Sequence, residues 1–327
     1  VPLPRITAAV GDFDRTRPLL DGRVAVEGFD VAWTSGELES IFSRAFETAE
    51  FDVTELSFSN FVIATQKGGS PYAGLPIFPT RCFRQHAIYM RTDRGMAVPR
   101  DLEGRRVGLR EYTNTASVAA RGALQTFYGV DLAKVHWVVG DVNKRERTKF
   151  PVPSLPAPYR IEAEPDALLS DMLADGRIDG LISYSPPNCI REAGVGRLFP
   201  RWWEEERRYY QATGVFPIMH LMVVRRDTAQ RYPELIPALF KAFSKAKCLA
   251  IAELEIEQAP KIMLPWTPAH LVEARELMGD DFWPYGVAPN RKTLEAQLAF
   301  SREQHLVPRS VAVEELFHES ALTLAER

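Results

Sequence analysis

Short apolar runs alternate along this chain with amphipathic stretches, and that alternation restricts the fold more than any single motif. "RITAAVG" reads as a first strand and "FDVAWTS" as a second. "ELESIFSRAFET" then places Leu38, Ile41, Phe42, Ala45 and Phe46 at helical spacing. "FDVTELSFSNFVIAT" gives a short strand, a polar bend and another helix, and "GLPIFPTR" and "HAIYMRT" are strands. A second run of the same kind starts near residue 93. It holds the strands "RRVGL" and "VHWVVG", a helix after "REYTNTAS", and "DALLSDMLADGRIDGLIS" as helix, glycine stop and strand. "FPVPSLPAPY" is an extended, Pro-rich loop. "FPIMHLMVVRRD" is a strand, and "YPELIPALFKAFSKAKCLAIAEL" a long amphipathic helix ahead of a mostly helical tail. Strands alternating with helices give an α/β fold.

The 327 residues, 46% hydrophobic and 25% charged, supply core for one large or two medium domains. A net charge of −3 argues against a nucleic-acid partner, because such proteins carry a basic surplus or stripe. No apolar run approaches the ~20 residues of a membrane span, so no membrane partner is expected. Three cysteines, Cys82, Cys189 and Cys248, share no metal-type spacing. An odd count favours free thiols in a reducing compartment, and the cytoplasm is the expected location.

Against this background "FPTRCFRQHAIYMR", residues 78–91, stands out. Three arginines and a histidine sit among apolar residues that read as buried strand. In a chain with no basic surplus, such cations act locally, in a pocket.

Several blocks carry a resemblance. "DLEGRRVGL", "GRIDGLIS" and "RRDTAQRYPELIPALFKAF" resemble the type II periplasmic-binding-protein fold. That likeness implies two α/β lobes facing a ligand cleft, with two chain crossovers: lobe one from 1–91 and 217–327, lobe two from 92–216. "GDFDRTRPLLDGRV", "FDVTELSFSNF", "IFPTRCFRQHAIYMRTD", "GVFPIMHLMVVRRD" and "MGDDFWPYGVAPNRKTLEAQLAFSREQHL" resemble, in order, the 4,5-dihydroxyphthalate decarboxylase family. The match runs from about residue 5 to about residue 318. It implies a carboxy-lyase that takes a small aromatic dicarboxylate, 4,5-dihydroxyphthalate, to 3,4-dihydroxybenzoate and carbon dioxide. The alternative on the same scaffold is a solute-binding protein delivering an aromatic acid to a transporter. The Cys-rich segment of the related thiamine-pyrimidine synthases is absent.

The chemistry fixes what a site must contain. An aryl carboxylate leaves once its ring carbon is protonated, with electrons pushed from a para hydroxyl. The site needs an acid, an acceptor for the phenol proton, and cations for the second carboxylate. It demands no cofactor. Arginine suits the clamp because its planar fork takes a carboxylate bidentately. Arg15, Arg17, Arg81 and Arg84 are the candidates, with Asp14 beside them, and ion pairs to Asp12, Asp14 or Glu55 are the competing role. His86 and His220 are the acid/base candidates, since imidazole titrates near neutrality, although a core histidine in a strand is commonly structural. Glu55 is either the phenol-proton acceptor or an arginine partner, and Ser57 either donates to substrate or caps the next helix. Tyr112, Thr113, Asn114 and Thr115 lie at a helix N-terminus, which suits an anion. Glu111 there is either an acid or a surface group. Ser183, Tyr184 and Ser185 end a strand and are expected to reach the ligand. Trp283 and Tyr285 are expected to pin the tail loop, and His136 to lie in the second core. No metal motif appears, and "DFD" at 12–14 with His86 is the one oxygen-rich combination. A homo-oligomer is the general prior for such a chain.

Overall fold

The structure is a computed structural model that describes residues 2–146, 151–192 and 194–326. The elements run β1 (Arg5–Ala9), α1 (Arg17–Leu20), β2 (Asp30–Thr34), α2 (Leu38–Thr48), β3 (Val53–Ser57), α3 (Phe58–Gln66), β4 (Tyr72–Arg81) and β5 (Ile88–Arg91). Next come β6 (Arg106–Leu109), α4 (Thr115–Thr126), β7 (His136–Gly140), β8 (Arg160–Glu164), α5 (Leu169–Ala174), β9 (Gly180–Ile182), β10 (Val195–Arg197) and α6 (Trp202–Thr213). The chain closes with β11 (Ile218–Arg225), α7 (Arg226–Arg231), α8 (Leu235–Leu254), α9 (Thr267–Met278) and α10 (Arg291–Glu303). The expected strands and helices are present among these. The expected loop at "FPVPSLPAPY" begins at Phe150, which lies outside the described residues; the rest of it precedes β8.

The chain divides into two compact units. Unit one holds 1–81, 218–295 and 311–327, and unit two holds 82–217 and 296–310. These boundaries differ from the expected 91/92 break and from a tail wholly in the first lobe. Hydrogen bonding gives the reason for the first difference. β5 pairs antiparallel with β9 and β10, so the chain has joined the second sheet before residue 91. The second difference rests on 296–310. Gln304 donates to the Val118 carbonyl at 2.9 Å and accepts from Arg121 Nε at 2.9 Å. Gly122 lies so close under the Phe300 ring that a Cβ there would come within 2.3 Å of it. Arg121 is fully buried, 3.7 Å from the Tyr112 ring centroid, and burial pulls its guanidinium down to about 10.

Unit one is built on a five-stranded sheet in the order β2-β1-β3-β11-β4. β1 is parallel to β2 and β3, and β11 is antiparallel to both β3 and β4. The carboxyl ends of β1, β3 and β4 and the start of β11 therefore share one edge, the usual place for ligand loops in an open α/β sheet. Val53, Leu56, Phe58, Phe61, Val62, Leu221, Met222 and Val223 are buried around its central strands. Unit two is built on a six-stranded sheet, β10-β5-β9-β6-β7-β8, with β6, β7, β8 and β9 mutually parallel. Its two faces bury clusters around Trp137 and around Leu169. No described helix is long and apolar enough to cross a membrane.

Candidate active site

In unit one, β3 carries Glu55 to the shared edge in a run of five buried residues. The carboxylate is sealed from solvent, so each oxygen needs donors. Oε2 accepts the Gly11 backbone N–H at 2.8 Å, and Oε1 accepts the Thr80 hydroxyl at 3.0 Å. Oε1 also lies 2.6 Å from His220 Nδ1. The β11–β3 register sets His220 opposite Ser57, which puts the imidazole beside Glu55. A carboxylate acceptor fixes the Nδ1–H tautomer and leaves Nε2 to exchange a proton. Phe42 of α2 packs edge-on against the ring at 5.0 Å, and the side chain stays 17% exposed. Glu55 pairs with a histidine, not an arginine, and its oxygens are occupied.

The arginines separate. Arg15 sits between the rings of Phe13 and Trp283, 4.5 Å from each centroid. Its Nε donates to the Pro79 carbonyl and its Nη1 lies 2.8 Å from Asp14. The loop that presents it is shaped by buried Thr16, which accepts from Phe13 N at 2.9 Å and donates to the Gly11 carbonyl at 2.6 Å. Arg81 is buried, donates to the Pro284 carbonyl at 2.9 Å and also bonds Asn290. Tyr285 is buried beside both. Desolvation raises its phenol, and Arg15, Arg81, Glu55 and Glu326 all act on it. Arg17 does not join them. It forms a bidentate pair with Asp12 at 2.9 and 2.8 Å on the surface. Trp283 Nε1 donates to the Phe78 carbonyl at 2.9 Å, which pins the 281–286 loop to β4.

In unit two, His86 lies in a single 3-10 turn, Gln85–Ala87, rather than inside the expected strand. Glu206 of α6 holds that turn, accepting from His86 N at 3.2 Å and contacting Nδ1 at 2.8 Å. The Trp202 ring packs on the imidazole at 5.5 Å. The influence of Cys82 and then of Glu206 outweighs burial and raises His86 to about 9. Burial alone would push the Cys82 thiol up; the bond to His86 and the charges of Arg84 and His86 outweigh it, and the thiol ends below its usual value. Arg84 is itself buried, and desolvation lowers its pKa.

A raised imidazole stabilises the fold fully below its unfolded value, ~6.5, and loses that contribution as pH rises through about 9. The stability advantage of the protein over His86→Ala is therefore expected to shrink from pH 7 to pH 10. Urea midpoints at several pH values measure this, and a constant difference would contradict it.

The remaining candidates, Ser57 of unit one apart, lie elsewhere in unit two. Asn114 caps α4 by accepting from Ser117 N at 2.8 Å. Glu111 accepts the Thr113 hydroxyl at 2.6 Å, and Thr115 is buried in the first turn. Tyr112 does not line a ligand site. Its ring is fully buried between Arg121 and Trp137, because α4 packs on the sheet there. Ser183 and Ser185 close a local turn, Ser183 donating to the Ser185 carbonyl at 2.6 Å. Tyr184 is exposed near Arg110. Arg110, Asn143, Lys144, Glu146 and Ser183–Ser185 line a small pocket at the strand ends. His136 is not a core residue; it is half-buried at the start of β7, 3.3 Å from Glu162. Ser57 occupies the N-cap position of α3 without a side-chain cap bond. Among the described residues no three His, Cys, Asp or Glu side chains are grouped to hold a metal.

Sequence reasoning missed Glu206, Cys82 and Arg110. "WWEEERRYYQAT" has helical composition, but nothing in it singles out Glu206 among its three glutamates. Cys82 has no disulfide or metal spacing in the sequence, and His86, four residues on, reads there as part of a strand.

No protein-family model matches the chain. Solved structures similar to it share the fold at low identity. The periplasmic aliphatic sulphonate binding protein SsuA from Escherichia coli is 12% identical, with TM-score 0.56 over 100% of this chain and 96% of that one. The desulfurization enzyme DSZB is 14% identical, with TM-score 0.53 over 98% and 97%. These place the two units in the periplasmic-binding-protein fold class. Curated relatives are nearer. A 4,5-dihydroxyphthalate decarboxylase from Pseudomonas putida is 40% identical over 188 residues, 57% of this chain and 73% of its own. One from Comamonas testosteroni is 39% identical over 321 residues, 97% of each chain. Similarity of that extent makes this chain a member of the 4,5-dihydroxyphthalate decarboxylase family, whose members are carboxy-lyases.

Proposed function

We propose that this protein decarboxylates a hydroxylated aromatic dicarboxylate, converting 4,5-dihydroxyphthalate to 3,4-dihydroxybenzoate and carbon dioxide. His220 exchanges the proton through Nε2, with Glu55 holding Nδ1–H. The observation that carries this reading is the 2.6 Å contact between His220 and a sealed, fully occupied Glu55. Such a carboxylate orients an imidazole and stabilises its cation, as in the triad arrangement. His220 delivers a proton to the ring carbon bearing the leaving carboxylate while the para hydroxyl supplies electrons. The C–C bond then breaks, its pair returns to the ring, and carbon dioxide departs. One proton is consumed and no electron sink is required. Arg15, held between two rings, is oriented to bind the remaining carboxylate, and Phe13 and Trp283 offer aromatic faces beside it. The three cysteines carry no disulfide in the structure, which fits a cytoplasmic enzyme of catabolism.

The test is turnover in deuterium oxide. The product is expected to carry one deuterium on the ring carbon adjacent to its remaining carboxylate, read by proton NMR. A product protonated there, or no product, would count against ipso protonation from an exchangeable acid.

A further inference from the structure

The two donors that hold Glu55 besides His220 come from places where the chain of unit one departs from regular structure. β4 is the first. His220 pairs with Thr80 and Met222 with Leu75, so two steps along β11 span five along β4. The surplus lies within 76–79 and forms a bulge, a device that re-aims side chains beside active sites. Carbonyls in and around it serve the site loops. The Pro76 carbonyl accepts Gly286 N–H at 2.8 Å, that of Phe78 accepts Trp283 Nε1 at 2.9 Å, and that of Pro79 accepts Arg15 Nε. The bulge ends on Thr80, whose hydroxyl donates to Glu55 Oε1 at 3.0 Å. The same oxygen meets His220 Nδ1 at 2.6 Å. Gly11, just past β1, is the second place. Its N–H donates to Oε2 at 2.8 Å, and its carbonyl accepts the Thr16 hydroxyl at 2.6 Å. A Cβ at this position would lie 2.5 Å from Phe13 Cζ, and that ring packs on Arg15 at 4.5 Å.

We propose that Thr80 is a positioning residue for the proton transfer, acting through Glu55, and that Gly11 ties the same carboxylate to the Arg15 clamp. This inference rests on the proposed function. A carboxylate oxygen has two lone pairs, so the Thr80 hydroxyl and His220 Nδ1–H together fill Oε1. With Gly11 N–H on Oε2, donors from two different strand ends fix the carboxylate plane. The imidazole then meets a preset acceptor, and Nε2 is aimed without reorganisation at the moment of transfer. Without the hydroxyl, Oε1 keeps only the imidazole, and the pair is free to swing together. Thr80 carries no titrating proton and acts one residue away from the substrate, so its loss leaves substrate binding alone. Gly11 differs. A side chain there pushes the Phe13 ring aside, and with it one of the two aromatic faces that hold Arg15.

Steady-state kinetics with 4,5-dihydroxyphthalate separate the two roles. Thr80→Val is expected to lower kcat about tenfold, the worth of a hydrogen bond to a charged group, with KM within about twofold. Thr80→Ser, which restores the hydroxyl, is expected to return kcat to within about threefold of the unaltered protein. Gly11→Ala is expected to raise KM about three- to tenfold through the lost ring contact on Arg15, and to lower kcat as well. Urea midpoints check folding, and Thr80→Ala removes the same hydroxyl without adding a methyl if the valine variant does not fold. One readout needs no turnover. The His220 Nδ1–H resonance in the proton NMR spectrum, assigned by its loss in His220→Gln, is expected to broaden or vanish in Thr80→Val and to persist in Thr80→Ser. Thr80→Val with unchanged kcat, or with KM rising in step with the loss, overturns the positioning role, as does a folded Thr80→Ser that recovers nothing. Gly11→Ala with KM unchanged overturns the tie to Arg15. If the unaltered protein releases no carbon dioxide, the proposed function fails instead, and the resonance decides the lock: broadening in Thr80→Val supports it, and an unchanged signal overturns it.

Discussion

Replacing His220 with glutamine is expected to lower kcat by about 10²–10⁴-fold, the range that a positioned general acid contributes. Substrate affinity, measured by fluorescence titration, is expected to change only a few-fold. His220 enters from β11 opposite Ser57, and its Nδ1 is engaged by Glu55 at 2.6 Å, so Nε2 is the one ring nitrogen left for chemistry. Glutamine retains a polar head of similar reach but cannot cycle a proton near neutrality. Glu55→Gln is expected to reduce kcat as well, because a carboxamide can present its N–H to Nδ1 and select the opposite tautomer. Equal losses of binding and turnover in His220→Gln would show that the residue supports the pocket and does not act as the acid.

Lys247→Met is expected to destabilise the fold by about 3 kcal/mol, the low end of the cost of breaking a buried charge cluster by removing one partner. The ammonium is buried under α8, yet it meets Asp281 at 3.0 Å, Glu326 at 2.6 Å and the Trp283 carbonyl at 2.9 Å. It also lies 4.9 Å from the Tyr285 ring centroid. Asp281 is half exposed and can recover water, which keeps the cost from being larger. The same cluster fixes the loop that holds Trp283 against Arg15 and Pro284 against Arg81, so KM is expected to rise along with the loss of stability. Urea unfolding reads the first effect and steady-state kinetics the second. A change within ~0.5 kcal/mol, the range of ordinary surface substitutions, would mean that the cluster is not coupled to folding.

The legible parts of this protein were those where one period dominates locally. β1, β3, β7 and β11 are apolar runs bounded by turn residues, and α8 is a long amphipathic helix; each reads directly. Two short strands, β8 and β10, did not. "RIEAE" is half polar because it lies at a sheet edge, and "VGR" is too short to carry a pattern. The family blocks identified His220 and Arg15 as candidates, but the pairing of His220 with Glu55 spans 165 positions and depends on strand register, which sequence pattern does not supply. The four arginines looked alike in the chain. Their separation into a ring-flanked Arg15, a buried Arg81 bonded to Pro284, a surface Arg17 and a buried Arg84 follows from the partners each meets. Tyr112 adjoins a helix N-terminus and reads in the sequence with its polar neighbours; the packing behind α4 buries it.

Decarboxylation of this substrate class is tested most directly by treating purified protein with a chelator, adding 4,5-dihydroxyphthalate, and following carbon dioxide release together with the ultraviolet spectrum of the ring. Release over many turnovers, unchanged by chelation, with the spectrum moving to that of 3,4-dihydroxybenzoate, is the predicted result. Saturable binding of the dicarboxylate without any carbon dioxide would contradict it.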